Sequence, residues 1–215
     1  MPHVIEWDGD EPFIRVNDEF RLTPYRDPED TEGMCEISNF PDVGKWSYMR
    51  PYPYTVPDAR IWFDLTVPSQ KAAVALLKAN KEEAADVGEV SPASTPTPPL
   101  SVIPFIVLRD KTGKYLGDAS LTFEDDVWVI AYALNPSLWG KGVGTQMVKT
   151  LIEWGEESNG VKEVHAAVVS MDHLGTLWGD NGPVVGNLLY HADRTSGIGD
   201  VLHINKHGVQ SHALD

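Results

Sequence analysis

At 215 residues the chain fits one domain with a single substantial core, and its 42% hydrophobic and 23% charged residues are ordinary for a soluble globular protein. Lys plus Arg number 17 against 32 Asp plus Glu, a formal net charge of -15 that disfavours nucleic acid and anionic membranes as partners. No apolar run reaches the roughly 20 residues that span a bilayer, and the single cysteine, Cys35, excludes an intrachain disulfide.

The acidity mildly favours cationic partners, or serves solubility alone. The segment Met1 to Asp8 lacks both the basic start and the apolar stretch of a signal peptide, so a cytoplasmic location is expected.

Along the chain, Phe13-Ile14-Arg15-Val16 and Phe20-Arg21-Leu22-Thr23 alternate apolar and polar residues around Asn17-Asp18, which predicts a hairpin. Asp27-Pro28-Glu29-Asp30 is an acidic helix start, and the helix after it carries Met34, Cys35 and Ile37. An aromatic, proline-rich loop follows from Trp46 to Tyr54. Thr55, three residues before Asp58, caps a second helix, and Lys71 to Asn80 reads as further helix with one buried face. The stretch Ser91 to Pro99 holds four prolines in nine residues, which exclude helix and ladder pairing. Periodic sequence resumes on both sides, so a Pro/Ser/Thr-rich insertion loop is placed at about 86–100, inside one domain spanning 1–215.

Strands are expected at Val102 to Leu108, Tyr115 to Phe123 and Val127 to Leu134, joined by Asp110-Lys111-Thr112-Gly113 and Glu124-Asp125-Asp126. An amphipathic helix from about Gly142 to Glu157 follows, with Val143, Met147, Leu151 and Gly155 on one side, and then a strand from Glu163 to Val169. The pattern is α+β with one strand-helix-strand crossover.

The chemistry concentrates in the turn before that helix, where Gly140, Gly142 and Gly144 alternate with other residues. Glycine lets the backbone turn tightly and lets its amides face one point. Those amides and the positive end of the helix behind them form an anion site suited to a pyrophosphate, with Lys141 placed for a charge contact at the rim. Read by itself the pattern is equally a tight turn with a glycine-capped helix. No Gly-Lys-Ser/Thr closes it as in a Walker loop, and it lacks the Gly-x-Gly-x-x-Gly spacing of a dinucleotide site.

The longer run Tyr132-Ala133-Leu134-Asn135-Pro136-Ser137-Leu138-Trp139-Gly140-Lys141-Gly142-Val143-Gly144-Thr145 resembles the acetyl-CoA motif of the GNAT superfamily of N-acetyltransferases. The family pattern Gln/Arg-x-x-Gly-x-Gly/Ala falls on positions 139 to 144, with Trp139 in the first slot. Trp-Gly-x-Gly is similar to the branch that includes ribosomal-protein N-terminal acetyltransferases. Phe20-Arg21-Leu22-Thr23-Pro24 and Pro51-Tyr52-Pro53-Tyr54-Thr55 resemble that branch as well. Insertion aside, the resemblance covers roughly residues 12 to 170.

It implies a mixed, mainly antiparallel central sheet flanked by helices. It also implies an enzyme, an N-acetyltransferase with acetyl-CoA as co-substrate. The pantetheine would lie near Ala133 and Leu134, and the amides of Trp139, Gly140, Lys141, Gly142, Val143, Gly144 and Thr145 would hold the pyrophosphate. Trp46, Tyr48, Tyr52 and Tyr54 would line the acceptor pocket, unless their loop simply packs over the sheet. The acceptor is a primary amine, either a peptide N-terminus or a small molecule, and the expected assembly is a monomer or homodimer.

Two departures from the family pattern stand out. Where many relatives carry a glutamate base on the third core strand, this chain has Val129, which takes no proton. Glu124, Asp125 and Asp126 either substitute for it or form only a solvated turn. After Val169 the family's Asn-x-x-Ser helix and Gly-Phe pair are absent, and 171–215 is a divergent segment. The family usually finds its thiolate-protonating tyrosine there, and Tyr190 is the one tyrosine beyond Tyr132, as that acid or as a structural residue. His191, His203, His207 and His212 include one pair four apart, but no Cys and no intervening Glu support a metal, and none is expected. The alternative to an enzyme is a non-catalytic acyl-CoA-binding protein of the same fold.

Overall fold

A computed structural model describes residues 3–45, 50–87, 100, 102–124, 127–169 and 185–191. The chain opens with three strands, β1 (Ile5–Asp8), β2 (Glu11–Arg15) and β3 (Phe20–Thr23). Three helices follow: α1 (Thr31–Ser38), α2 (Pro41–Gly44) and α3 (Val56–Val87). Then come β4 (Val107–Asp110), β5 (Tyr115–Glu124), β6 (Val127–Leu134), α4 (Val143–Asn159), β7 (Glu163–Val169) and β8 (Val185–His191). The strands lie in one sheet in chain order, antiparallel throughout except for β6 and β7. Those two are parallel because α4 carries the chain back between them, the crossover a parallel pair requires.

The expected hairpin forms as β2 and β3, with Ile14 opposite Leu22. Asn17 closes it, its Oδ1 accepting from the amides of Glu19 and Phe20. β1 is an addition to the expected pattern, an edge strand whose Trp7 packs on the core. β8 is a second addition, inside the segment read as divergent.

Two expected elements differ in extent. The helix after Thr55 and the one at Lys71 are a single 32-residue helix that runs through Pro68. Thr55 and Asp58 bond at its start as the spacing predicts. Pro68 removes one internal hydrogen bond, but it is exposed, and the buried stripe Ala59, Phe63, Val67, Gln70, Ala73, Leu77 continues past it. Packing of that stripe outweighs the local break. The strand read from Val102 to Leu108 forms a ladder only from Val107. Pro104 cannot donate to a ladder, and before it only a single bridge joins Val102 to Thr122. The insertion read at 86–100 begins within the last turn of α3, and beyond Val87 only Leu100 of it is described.

Neighbouring residues of each central strand belong to different core clusters, which places the clusters on opposite faces of the sheet. Leu108, Ala119, Leu121, Ile130 and Leu134 join α4 through Met147, Leu151 and Trp154. Val107, Tyr115 and the half-buried Ala133 join α1 and the first half of α3 through Met34, Ile37 and Phe63. Helix α4 approaches closely at Gly155, where an added Cβ would stand 3.0 Å from Val161 and 3.1 Å from Leu121. No described helix is long and apolar enough to cross a membrane.

Candidate active site

The turn between β6 and α4 is built by short-range bonds. Asn135 starts a single 3-10 turn over Pro136–Leu138, its side chain accepting from the Ser137 amide at 3.0 Å. The Trp139 indole N–H then donates to the Leu134 carbonyl at 2.9 Å, which pins the first slot of the motif onto the end of β6. Gly140 and Gly142 follow with φ of 69° and 74°, a left-handed conformation that glycine adopts without a steric cost. A Cβ on either would meet no atom within 4 Å, so both are needed for backbone shape and neither for packing. Gly144 differs: it is helical, and its Cβ would sit at an ordinary 3.5 Å from Leu134.

The first amide of α4 with a carbonyl partner is that of Gln146, which donates to Gly142 at 3.0 Å. The amides of Val143, Gly144 and Thr145 are therefore first-turn donors left over by the helix. No side chain caps them and no acidic residue lies in the first turn. Gly140, Lys141, Gly142 and Thr145 are exposed. Among the described residues these amides are unpaired, and they stand at the positive end of a helix with no acidic side chain in its first turn, an arrangement suited to an anion.

Beside the turn the sheet opens. β6 and β7 pair only through Trp128 with Val164, Val129 with His165 and Ile130 with Ala166. Past that point Ala131 to Leu134 have no ladder partner on the β7 side among the described residues. Ala131 and Tyr132 are exposed, Ala133 is half-buried and Leu134 is buried.

On the face away from α4, β5 and β6 present opposed pairs: Asp118 with Ala133, Ser120 with Ala131, and Thr122 with Val129. Opposed residues of an antiparallel pair share a face, so Asp118 is the carboxylate there while the β6 side is apolar. Tyr115 donates its hydroxyl to Asp118 Oδ2 at 2.5 Å, and Arg50 Nη2 stands 3.6 Å from the same oxygen. Arg50 also donates to Ser38 Oγ at 3.0 Å and lies 5.7 Å from the Tyr54 ring centre. Burial, followed by the Asp118 charge, pushes the Tyr115 hydroxyl well above its ordinary pKa. Burial works against the charge of Arg50, but Asp118 and the surrounding phenols outweigh it and its pKa rises.

Of the residues singled out in the sequence, Ala133, Leu134 and Trp139 to Thr145 come together at the turn and the sheet opening. Tyr54 is 5% exposed, its backbone clamped by Asn39 and its hydroxyl directed at Met34 Sδ. Tyr52 is 61% exposed and covers Gly44. Trp46 and Tyr48 lie outside the described residues, as do Asp125 and Asp126, and the backbone of Glu124 ends β5 opposite Val127. Tyr190 pairs with Val164, which pairs with Trp128, so its backbone lies at the closed end of the β6–β7 pair. His191 ends β8, and His203, His207 and His212 lie outside the described residues. The sequence reading passed over Arg50 and Asp118. A lone aspartate in an apolar strand, Leu116-Gly117-Asp118-Ala119, was the one available signal.

A separate groove of about 520 Å³ lies between the β1–β2 turn and α3, lined in part by Asp10, Arg26, Gln70 and Lys78. Two of its cations are already paired, Lys78 with Asp10 at 2.7 Å and Arg26 with Glu11 at 2.5 Å, and it holds neither the turn nor the opening.

A family model described as an acetyltransferase (GNAT) domain matches residues 19–173. Among solved structures, the RimL ribosomal L7/L12 alpha-N-protein acetyltransferase superposes with a TM-score of 0.56 at 10% identity, covering 86% of this chain and 97% of that one. A ribosomal-protein-S5-alanine acetyltransferase from Vibrio fischeri gives a TM-score of 0.49 at 16% identity, covering 80% and 92%. The microcin C7 self-immunity acetyltransferase MccE, solved with acetyl-CoA and AMP, gives 0.47 at 17% identity, covering 75% and 76%. No curated protein matches the chain.

Proposed function

The chain belongs to the GNAT acetyltransferase family, and from that premise we propose that it transfers the acetyl group of acetyl-CoA to a primary amine. The observation that carries the reading is the run of unpaired amides at the start of α4, set beside the opening between β6 and β7. These residues fit the coenzyme. Gly140 and Gly142 leave open space where side chains would stand, and Val143, Gly144 and Thr145 offer donors for the diphosphate. Ala133 and Leu134 border the channel that the pantetheine would follow.

Acetyl-CoA supplies a thioester whose C–S bond breaks as the amine forms its C–N bond, the amine losing a proton and the thiolate gaining one. The chain's own part is to bind and orient, which suffices for a large acceleration when reactants are held in attack geometry. Val129 takes no proton, so the apolar β6 side of the cleft positions rather than ionises. Tyr52 forms an outer wall for the acceptor. Glu124 and Tyr190 remain in the proposal as base and acid. We place the enzyme in the cytoplasm, in keeping with its single cysteine, as a monomer or homodimer.

Calorimetry with acetyl-CoA, together with thiol release against a panel of amines, tests the reading. Binding with turnover on at least one amine is expected. Binding without turnover on any amine favours the non-catalytic alternative, which the missing proton acceptor at Val129 supports, and no binding overturns both. In the same assay Gly142→Val should weaken acetyl-CoA at least about tenfold, since a β-branched residue resists φ of 74° and costs about 1–3 kcal/mol there. Gly144→Ala should bind nearly as well, because its Cβ meets only an ordinary contact.

A further inference from the structure

Arg50 and Asp118 form an ion pair that is nearly buried and yet incompletely bonded. Their side chains are 22% and 9% exposed, and Arg50 Nη2 stands 3.6 Å from Asp118 Oδ2, beyond hydrogen-bond distance. A guanidinium offers five N–H donors. Among the described residues Arg50 uses one of them, on Ser38 Oγ. Asp118 accepts from Tyr115 on Oδ2, and its Oδ1 has no partner among the described residues. The Arg50 side chain keeps 22% of its surface exposed and Asp118 9%, so the pair can be reached from solvent. Spare charged hydrogen-bonding capacity in a nearly dry place is costly unless something fills it.

The location gives that capacity a purpose. Asp118 faces Ala133 directly across the β5–β6 ladder, on the half-buried rim of the sheet opening. An amine held at Asp118 therefore lies beside the sheet opening, on the face away from α4. Arg50 stands beside it, its guanidinium 5.7 Å from the Tyr54 ring centre, which fixes its direction.

We propose that the acceptor carries a carboxylate next to its amine, an α-amino acid head, with Arg50 receiving the carboxylate and Asp118 the ammonium. This rests on the acetyl-transfer reading above and narrows it to one class of acceptor. A pair of opposite charges 3.6 Å apart is complementary to a zwitterion and not to a simple polyamine, which brings only positive charge. Planar guanidinium groups favour carboxylates through two parallel donors, and Arg50 has two or more to give. Local neutrality of the pair explains how an acidic protein would take an acceptor with no net charge.

The test uses the full chain and three sets of acceptors: free α-amino acids, the corresponding amino-acid amides, and putrescine. With acetyl-CoA, the free acids should release thiol with a kcat/KM at least about tenfold above their amides, the usual cost of losing a charged hydrogen bond. Arg50→Gln should raise the KM for the acids about ten- to hundredfold while leaving the KM for acetyl-CoA unchanged, and Arg50→Lys should recover part of the loss. Equal rates on acids and amides, or an unchanged acceptor KM in Arg50→Gln, overturn the proposal. Thiol release on putrescine or a peptide N-terminus, with none on free acids, overturns it while the acetyl-transfer reading stands. Should the protein fail to bind acetyl-CoA, calorimetric titration of the unmodified chain with the free acids decides: binding that Arg50→Gln abolishes supports the site, and no binding overturns it.

Discussion

Among the described residues two arginine-aspartate pairs lie largely inside the fold, and they are built to different ends. Arg109 and Asp30 are sealed, with side chains 2% and 3% exposed. Arg109 reaches both carboxylate oxygens, at 2.8 and 2.6 Å, and gives its third nitrogen to Thr23 at 2.8 Å. Asp30 also accepts from the Arg26 amide at 2.7 Å. This pair ties β4 to the start of α1 and leaves no capacity over. Arg50 and Asp118, lying by the sheet opening, stand further apart and, among the described residues, hold donors and an oxygen in reserve. A charge pair that serves architecture is saturated. One that serves a ligand is left short.

The largest test of that contrast is Asp30→Asn, which strands Arg109 without a counter-charge. A loss of about 3–5 kcal/mol is expected in urea denaturation, enough to remove much of the fold's stability. Asp118→Asn should cost less, about 1–3 kcal/mol, because one charged bond from Tyr115 weakens and Arg50 still touches solvent. A cost equal to that of Asp30→Asn would erase the distinction between the pairs.

The alkaline limb gives a third measure. The Tyr115 hydroxyl titrates well above the unfolded value of 10.0, first through burial and then through Asp118. Its folded pKa is raised, so its contribution is fully present below pH 10 and is lost as the pH climbs through the folded value. Stability followed from pH 9 to 11 should therefore fall, and Tyr115→Phe should flatten that fall. An equal slope in Tyr115→Phe would assign the limb to other groups. Smallest is Arg50→Gln, at about 1 kcal/mol or less in the same denaturation assay, since its pair is loose and partly wet.

These contrasts bear on how much the sequence revealed. The turn from Asn135 to Thr145 was legible because each bond that shapes it is short-range: Asn135 to Ser137, Trp139 to Leu134, Gln146 to Gly142. Even there, equal weight on three glycines was too coarse, for Gly140 and Gly142 carry the left-handed turns and Gly144 is an ordinary helical residue. The α1 start was legible too, but the role of Asp30 was not. It stands at the helix start without capping it, its carboxylate taken by Arg109. Pro68 and Pro104 look alike in sequence. One lies on the exposed side of α3 and is absorbed, while the other is buried ahead of β4, whose ladder starts only at Val107.

What the amino-acid order determined alone is the glycine turn, the amphipathic stripe of α4 and the crossover between β6 and β7. Backbone preferences and periodicity act over a few residues and need no distant partner. The tertiary structure decided the rest: where β6 and β7 part, that α3 is continuous, and that Arg50 from the aromatic loop meets Asp118 and Tyr115 from β5. Those outcomes depend on which surfaces are buried against which. A charge left short of partners acquires meaning only once the fold has removed the water around it.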